Sequence, residues 1–273
     1  MKQVGKRVMM KRNLCSLSSI ILSLFCLLSC GIEAYYYIDY IPDGYVEMDR
    51  VYTARITLPS TGAEGYSNYF DNFIIFYRIY ISGINFLAPV VTPQERRDIN
   101  QTLDVHFNSI FSMTDKTSTT VNTSNLETFF SNRDYFQLTI EGSPNITSVL
   151  SNGSLGRSLV IDFPSLSGSR PTLTLSGTPD ATYVLQRATT GPGISFRPVP
   201  DDYYFLNHAD LYSNDNANNK EINADVAPNN NTATPQFTYV SMYIAAKGRS
   251  YEAPPRYIYS QPTFIGIFML PDS

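Results

Sequence analysis

The stretch FIIFYRIYI, Phe73 to Ile81, is β-branched or aromatic at every position except Arg78. Residues of this kind fit a pleated strand. An apolar run that does not alternate marks a strand covered on both faces, as at the centre of a sheet. In a strand, Phe73, Ile75, Tyr77, Ile79 and Ile81 share one face, and Ile74, Phe76, Arg78 and Tyr80 share the other. Arg78 marks the second face as the wetter one. A matching run, FTYVSMYIAA from Phe237 to Ala246, offers Val240, Met242, Ile244 and Ala246 as its core face. Two central strands this far apart in the chain point to a mainly β fold.

The chain around them agrees. VYTARITL (Val51 to Leu58), YFQLTI (Tyr135 to Ile140), SLVIDF (Ser158 to Phe163), TLTL (Thr172 to Leu175), TYVLQRA (Thr182 to Ala188) and TFIGIFML (Thr263 to Leu270) recur between clusters of Gly, Pro, Asn and Ser. This is the pattern of an all-β domain, and eight strands suffice for a two-sheet sandwich. One helix stands out. Thr92-Pro93-Gln94-Glu95 combines a capping threonine, a proline at the first helical position and a glutamate three residues after the cap. It predicts a helix from Pro93 to about Met113, with Ile99, Leu103, His106 or Phe107, and Ile110 along one stripe. The polar stretches Thr114 to Asn125 and Ser213 to Pro235 read as mobile loops. No internal repeat is evident.

The start of the chain is of a different character. MKQVGKRVMMKRN carries Lys2, Lys6, Arg7, Lys11 and Arg12 without an acid, and LCSLSSIILSLFCLLS follows. Basic, then apolar, then small is the order of a secretory signal. The apolar run, Leu14 to Ser29, contains five serines and falls short of the roughly 20 residues that a membrane-spanning helix needs. All three cysteines lie at or before position 30. An exported chain beginning at Cys30 therefore has neither a disulfide framework nor a cysteine metal site, and its stability must come from a core. That chain, about 244 residues long, has length for one large domain. It keeps all 24 acids against 15 bases, a net charge of −9 with both histidines neutral. Such a surface repels phosphate backbones, which argues against nucleic acid as a partner.

Leu27-Leu28-Ser29-Cys30-Gly31 resembles the lipobox of bacterial lipoproteins, and its Leu28 is similar to the relaxed lipoboxes of spirochaetes and some other bacteria. The resemblance implies cleavage before Cys30, a diacylglycerol or acyl group on Cys30, and anchoring of the exported chain to the bacterial cell envelope. Plain cleavage and an uncleaved anchor are the alternatives. Together with the lipobox, FDNFIIFYRIY, RPVPDDYYFLN and IYSQPTFIGIFMLP look like pieces of uncharacterised lipoproteins of treponemes and related spirochaetes, a group with no assigned activity. FIIFYRIY is similar to the third strand of a fibronectin type III or related immunoglobulin-like sandwich. FTYVSMYIAAKG with YSQPTFIGIF is similar to its last two strands. The division this implies is a signal peptide over 1–29, a lipidated N-terminus with a short tether or first strand over 30–42, and one β-sandwich domain over 43–273. Residues from about 86 to 235 form an elaboration that holds the amphipathic helix. Within 30–42, a first strand would place Tyr36, Ile38 and Tyr40 on one face and Tyr35, Tyr37, Asp39 and Ile41 on the other; an aromatic belt in the headgroup region is the alternative.

Candidate chemistry is sparse. His106 and His208 are the two histidines, and neither has other ligand residues at the spacing that a zinc site needs. His106 falls on or beside the apolar stripe of the helix, where it packs. His208 lies in PDDYYFLNHADLY with Asp201, Asp202 and Asp210. These could support general acid-base work, but a structural turn with hydrogen-bonded carboxylates is the favoured reading, and no nucleophile motif such as G-x-S-x-G completes a catalytic set. Asn214, Asn216, Asn218 and Asp225 imitate a calcium loop without its central glycine or closing glutamate. No catalytic residue, metal site or cofactor is therefore assigned. Asn100, Asn122, Asn145, Asn152 and Asn230 begin N-x-[ST] triplets and count as coincidence in a bacterial lipoprotein.

What remains is an excess of aromatic residues, 20 of them tyrosines, with no tryptophan. An exposed tyrosine joins a flat apolar face to a hydroxyl, which suits contact with protein or glycan. Tyr203, Tyr204 and Tyr212, together with His208, are the expected contact patch. The sequence thus favours a non-enzymatic, lipid-anchored envelope protein that binds a protein or glycan or serves a structural role. An envelope hydrolase working around His208 is the competing reading, and a subunit of a lipoprotein assembly is a third.

Overall fold

The computed structural model describes residues 38–49, 52–63, 66, 68–83, 85, 92–114, 126–142, 145–164, 169–188, 204–205, 226–228, 237–251 and 254–270. They belong to a compact unit running from Tyr37 to Ser273.

The two apolar runs become the two longest strands, β3 (Phe70–Ser82) and β10 (Phe237–Arg249). They pair antiparallel from Phe237↔Ser82 to Gly248↔Phe70, with a bulge after Lys247. The strand β12 (Thr263–Met269) and the short β11 (Tyr257–Tyr259) pair with the far side of β10. On the far side of β3 lie β4 (Phe136–Gln137), antiparallel, and β9 (Val226–Pro228), parallel. A second sheet runs in the order β1 (Val46–Asp49), β2 (Thr53–Thr57), β6 (Ser158–Asp162), β7 (Thr172–Leu175), β8 (Ala181–Gln186) and β5 (Thr139–Ile140), all antiparallel. The domain is mainly β, built on two sheets.

The alternation of each strand decides which face it buries. In the second sheet Ala54, Ile56, Leu159, Ile161, Leu173, Leu175 and Leu185 point inward. Across from them are Phe73, Ile75, Tyr77, Ile79, Val240, Met242, Ile244 and Ala246 of the spine. The expected core face of β10 is thus the observed one. Phe163 stacks on Phe268 at 4.7 Å between ring centroids, and the Tyr77 hydroxyl accepts from the backbone of Ala188 at 2.8 Å. The outer face of the second sheet carries Thr53, Arg55, Val160, Thr174 and Thr182 in register, the mixture expected of an antiparallel sheet with one face toward water.

The face of β3 that carries Arg78 is not the wetter one. Among the described residues there are four α-helices where one helix was expected: α1 (Pro93–Leu103), α2 (Phe107–Thr114), α3 (Leu126–Ser131) and α4 (Ile146–Val149). Ile74, Phe76, Tyr243 and Ala245 are buried with Ile110, Leu126 and Phe130 from the helices, and Phe76 stacks on Phe130 at 4.3 Å. Further along, Tyr80 and Tyr239 pack with Leu103. Arg78 is only 8% exposed; it donates to the carbonyl of Arg133 and pairs with Asp134 at 3.3 Å.

Other expectations need correction. The capping box forms, with the Glu95 amide donating to Thr92 Oγ1 at 3.2 Å and the Thr92 amide to Glu95 Oε2 at 2.8 Å. The helix that it starts ends at Leu103, however, because Asp104 turns extended and its carboxylate accepts from the His106 amide at 2.8 Å. That local bond competes with helix continuation. His106 sits half-buried in this break, ahead of α2. YFQLTI is not one strand: the chain passes from β4 in one sheet to β5 in the other, pinned at Leu138, whose amide donates to Ile75 O at 2.8 Å. The extra strands expected within the segment after residue 86 are present, since it supplies β6, β7 and β8 of the second sheet. Within Ser213 to Pro235, residues 226–228 pair with β3 instead of looping; the rest of that stretch, and residues 115–125, lie outside the described residues. Asn100 is fully buried and Asn145 caps α4, so structural roles occupy both asparagines.

The proposed first strand is also absent where it is described. Residues 38–42 form no ladder, and Ile38 and Ile41 are both buried. The segment is nonetheless fixed: Tyr66 donates to the Asp39 carbonyl at 2.7 Å and Thr263 to the Ile41 carbonyl at 2.5 Å. Ile38 lies over Gly248. A Cβ on Gly248 would stand 1.8 Å from the Tyr69 carbonyl oxygen and 2.6 Å from Ile38 Cδ1. The bulge at the end of the β3–β10 ladder therefore requires glycine. Gly248→Ala should destabilise the domain by about 1–3 kcal/mol, whereas Gly62→Ala, with open space around the added carbon, should be nearly neutral. Equal urea midpoints for the two variants would contradict this packing.

Candidate functional site

Among the described residues, the large aromatic side chains that reach solvent are Tyr45, Tyr251 and Tyr257. Where β3 begins and β10 ends, Tyr251 is 70% exposed and Tyr257 is 48% exposed. The loop joining β10 to β11 is closed at its base by the Ser250 amide on Arg256 O at 2.9 Å and the Arg256 amide on Ser250 Oγ at 3.0 Å. Tyr251 leans on Tyr69, with 5.3 Å between centroids, and donates to the Asn68 carbonyl at 2.6 Å. Its ring is thus held in position although exposed. Lys247 Nζ stands 4.2 Å from the Tyr257 ring centroid and 2.6 Å from Glu127 Oε1; Arg249 Nε is 2.9 Å from Asp71 Oδ2. Tyr259, on the inward side of β11, donates to the same Glu127 oxygen at 3.0 Å, and burial followed by the Glu127 charge pushes its hydroxyl up.

The result is a tyrosine-bearing end whose principal charges are paired. Rings backed by cations and ion pairs are stiff and amphipathic, which lowers the entropy lost when they engage another surface. The sequence signal was present in GRSYEAPPRYIYS, Gly248 to Ser260, where tyrosine, arginine and proline crowd a strand-to-strand connection.

Tyr204 is not part of an exposed patch. It is 9% exposed, donates to Glu141 Oε1 at 2.6 Å and lies under Arg170, whose Cζ is 3.7 Å from the ring centroid. The hydrogen bond to Glu141 pushes the Tyr204 hydroxyl up. Its neighbour Phe205 explains the placement: it enters the core against Tyr77 and Phe163, with centroids at 5.1 and 5.4 Å. Cys30, Tyr203, His208 and Tyr212 lie outside the described residues, as do Asn214, Asn216, Asn218 and Asp225.

The most polar interior cluster lies between the helices and β3–β10. Asp104, 2% exposed, accepts from Tyr135 at 2.6 Å; Asn100 donates to Tyr243 at 2.6 Å and accepts from Ser241 at 2.8 Å. Burial pushes the hydroxyls of Tyr80, Tyr135 and Tyr243 well up, which keeps them neutral. The two Asn100 bonds tie α1 to β10, and the Asp104 bond ties the end of α1 to the segment after α3, so the arrangement is structural.

Because Tyr257 is exposed and Tyr259 is buried, replacement should separate a contact residue from a packing one. Tyr257→Ala should change stability by less than about 0.5 kcal/mol, while Tyr259→Ala should cost on the order of 3 kcal/mol. Comparable losses in urea titrations would make Tyr257 a structural residue and remove it from the site. Comparison of the chain with protein-family models, with characterised proteins and with solved structures finds no match to any of them.

Proposed function

We propose that the protein is a lipid-anchored, non-enzymatic component of the bacterial cell envelope, exported by its N-terminal signal and acylated on Cys30. Its sandwich serves as a contact module, binding a protein or glycan of the envelope or holding a structural place there. The observation that carries this reading is the exposed pair Tyr251 and Tyr257, fixed on the rigid end of the β3–β10 ladder. A fibronectin-like subclass of sandwich is part of the proposal. It is supported by β3, β10 and β12 lying side by side in antiparallel order, as the three corresponding strands of such a sandwich do. The resemblance to spirochaete lipoproteins rests on the lipobox together with FDNFIIFYRIY, RPVPDDYYFLN and IYSQPTFIGIFMLP.

Metabolic labelling with a fatty acid tests the anchor in cells making wild-type or Cys30→Ala protein. Labelling that is lost in the variant is the expected result; equal labelling of both would sink acylation at Cys30. Capture from the native envelope tests the contact. A partner retained by wild type and lost with the paired substitutions Tyr251→Ala and Tyr257→Ala is expected, and retention unchanged by them would move the contact elsewhere.

A further inference from the structure

We infer that the tyrosine-bearing end of β3–β10 rests on the headgroup layer of the bilayer that holds the protein's own lipid, with Tyr251 and Tyr257 as its interfacial contacts. The inference depends on acylation at Cys30 and specifies which envelope surface this end meets.

The path of the chain is the first argument. Ile38 is buried over Gly248, beside Tyr69, and the Asp39 carbonyl is held by Tyr66. The folded domain is therefore entered at the same end that exposes the tyrosines. Eight residues lead from Cys30 to Ile38. Fully extended they reach at most about 29 Å. A tether this short gives the end an effective concentration at the bilayer in the millimolar range, so even weak interfacial preference is realised.

The chemistry of the end is the second argument. Tyrosine rings settle at headgroup depth because one edge is apolar and the other hydrated. Lysine and arginine can lay their stems along such a surface while keeping their charge in water. Lys247 and Arg249 are paired with Glu127 and Asp71, while Arg256 at the base of the loop between β10 and β11 and exposed Asp39 at the chain's entry add one charge of each sign. The end therefore does not present the acidic excess of a chain at −9, which would repel an anionic bilayer.

The absence of tryptophan from the sequence makes the test clean. Full-length acylated protein carrying Tyr251→Trp or Tyr257→Trp is reconstituted into phosphatidylcholine and phosphatidylglycerol vesicles, with or without a nitroxide on the phosphatidylcholine headgroup. Val105→Trp serves as the distant control. Val105 is exposed and follows Leu103, which packs on Tyr80, ten residues along β3 from Phe70 and so about 30 Å away along the strand. Each end variant should lose roughly half its emission to the nitroxide while the control loses little, since only rings at headgroup depth lie near it. If the protein floats with the vesicles but neither end variant is quenched, or the control is quenched equally, the inference is overturned and the anchor survives; a protein or glycan partner then retains this end. If the protein does not float and Cys30 carries no label, the anchor has failed and the inference fails with it.

Discussion

Everything else in the molecule is arranged around the antiparallel pairing of β3 with β10. Both strands are apolar on both faces, and a strand of that kind cannot face water on either side. The ladder between them unites residues more than 150 positions apart in the chain, so closing it carries a large loop entropy that the layers on both faces must offset. One face is met by the inward residues of the second sheet, the other by α1, α2 and α3. The three-layer section of sheet, sheet and helices is therefore a consequence of two strand sequences.

The helix-side layer differs in kind from the sandwich core. Between the sheets the packing is aliphatic and aromatic, whereas between β3–β10 and the helices Asn100, Asp104, Ser241 and three tyrosines are buried with mutual hydrogen bonds. A buried polar group without its partner is costly, so such a network fixes position more sharply than oily packing does. It also explains why Arg78 survives inside: the turn after α3 brings the Arg133 carbonyl and the Asp134 carboxylate to it. The same ladder, at its other end, carries the exposed Tyr251 and Tyr257, so the proposed contact surface inherits the stiffness of the core.

Legibility in the sequence followed the range of the cause. Strands β2, β3, β6, β7, β8, β10 and β12 were readable because each is set by its own alternation or apolar run, and the start of α1 because its cap lies within four residues. The break at Asp104 was not, because a single side chain bond to the His106 amide overrides a stripe that is otherwise continuous. The burial of Arg78, the crossing of YFQLTI between sheets and the pairing of 226–228 with β3 all depend on partners distant in the chain. Tyr204 misled because a loop position beside acids implies exposure, while Phe205 pulls the segment into the core. Tyr251 and Tyr257 were hidden for the converse reason: residues beside a strong strand read as packing.

The proposed contact role depends on a rigid ladder carrying the exposed tyrosines, and amide hydrogen exchange resolved by peptide measures that rigidity directly. The slowest amides should be those of residues 73–81 and 240–246, exchanging only through global unfolding, with α1, α2, α3 and the outer strand β1 opening earlier. If the β6 and β7 amides outlasted those of β3 and β10, or if the ladder exchanged along with the edges, the pairing would not be what the structure depends on.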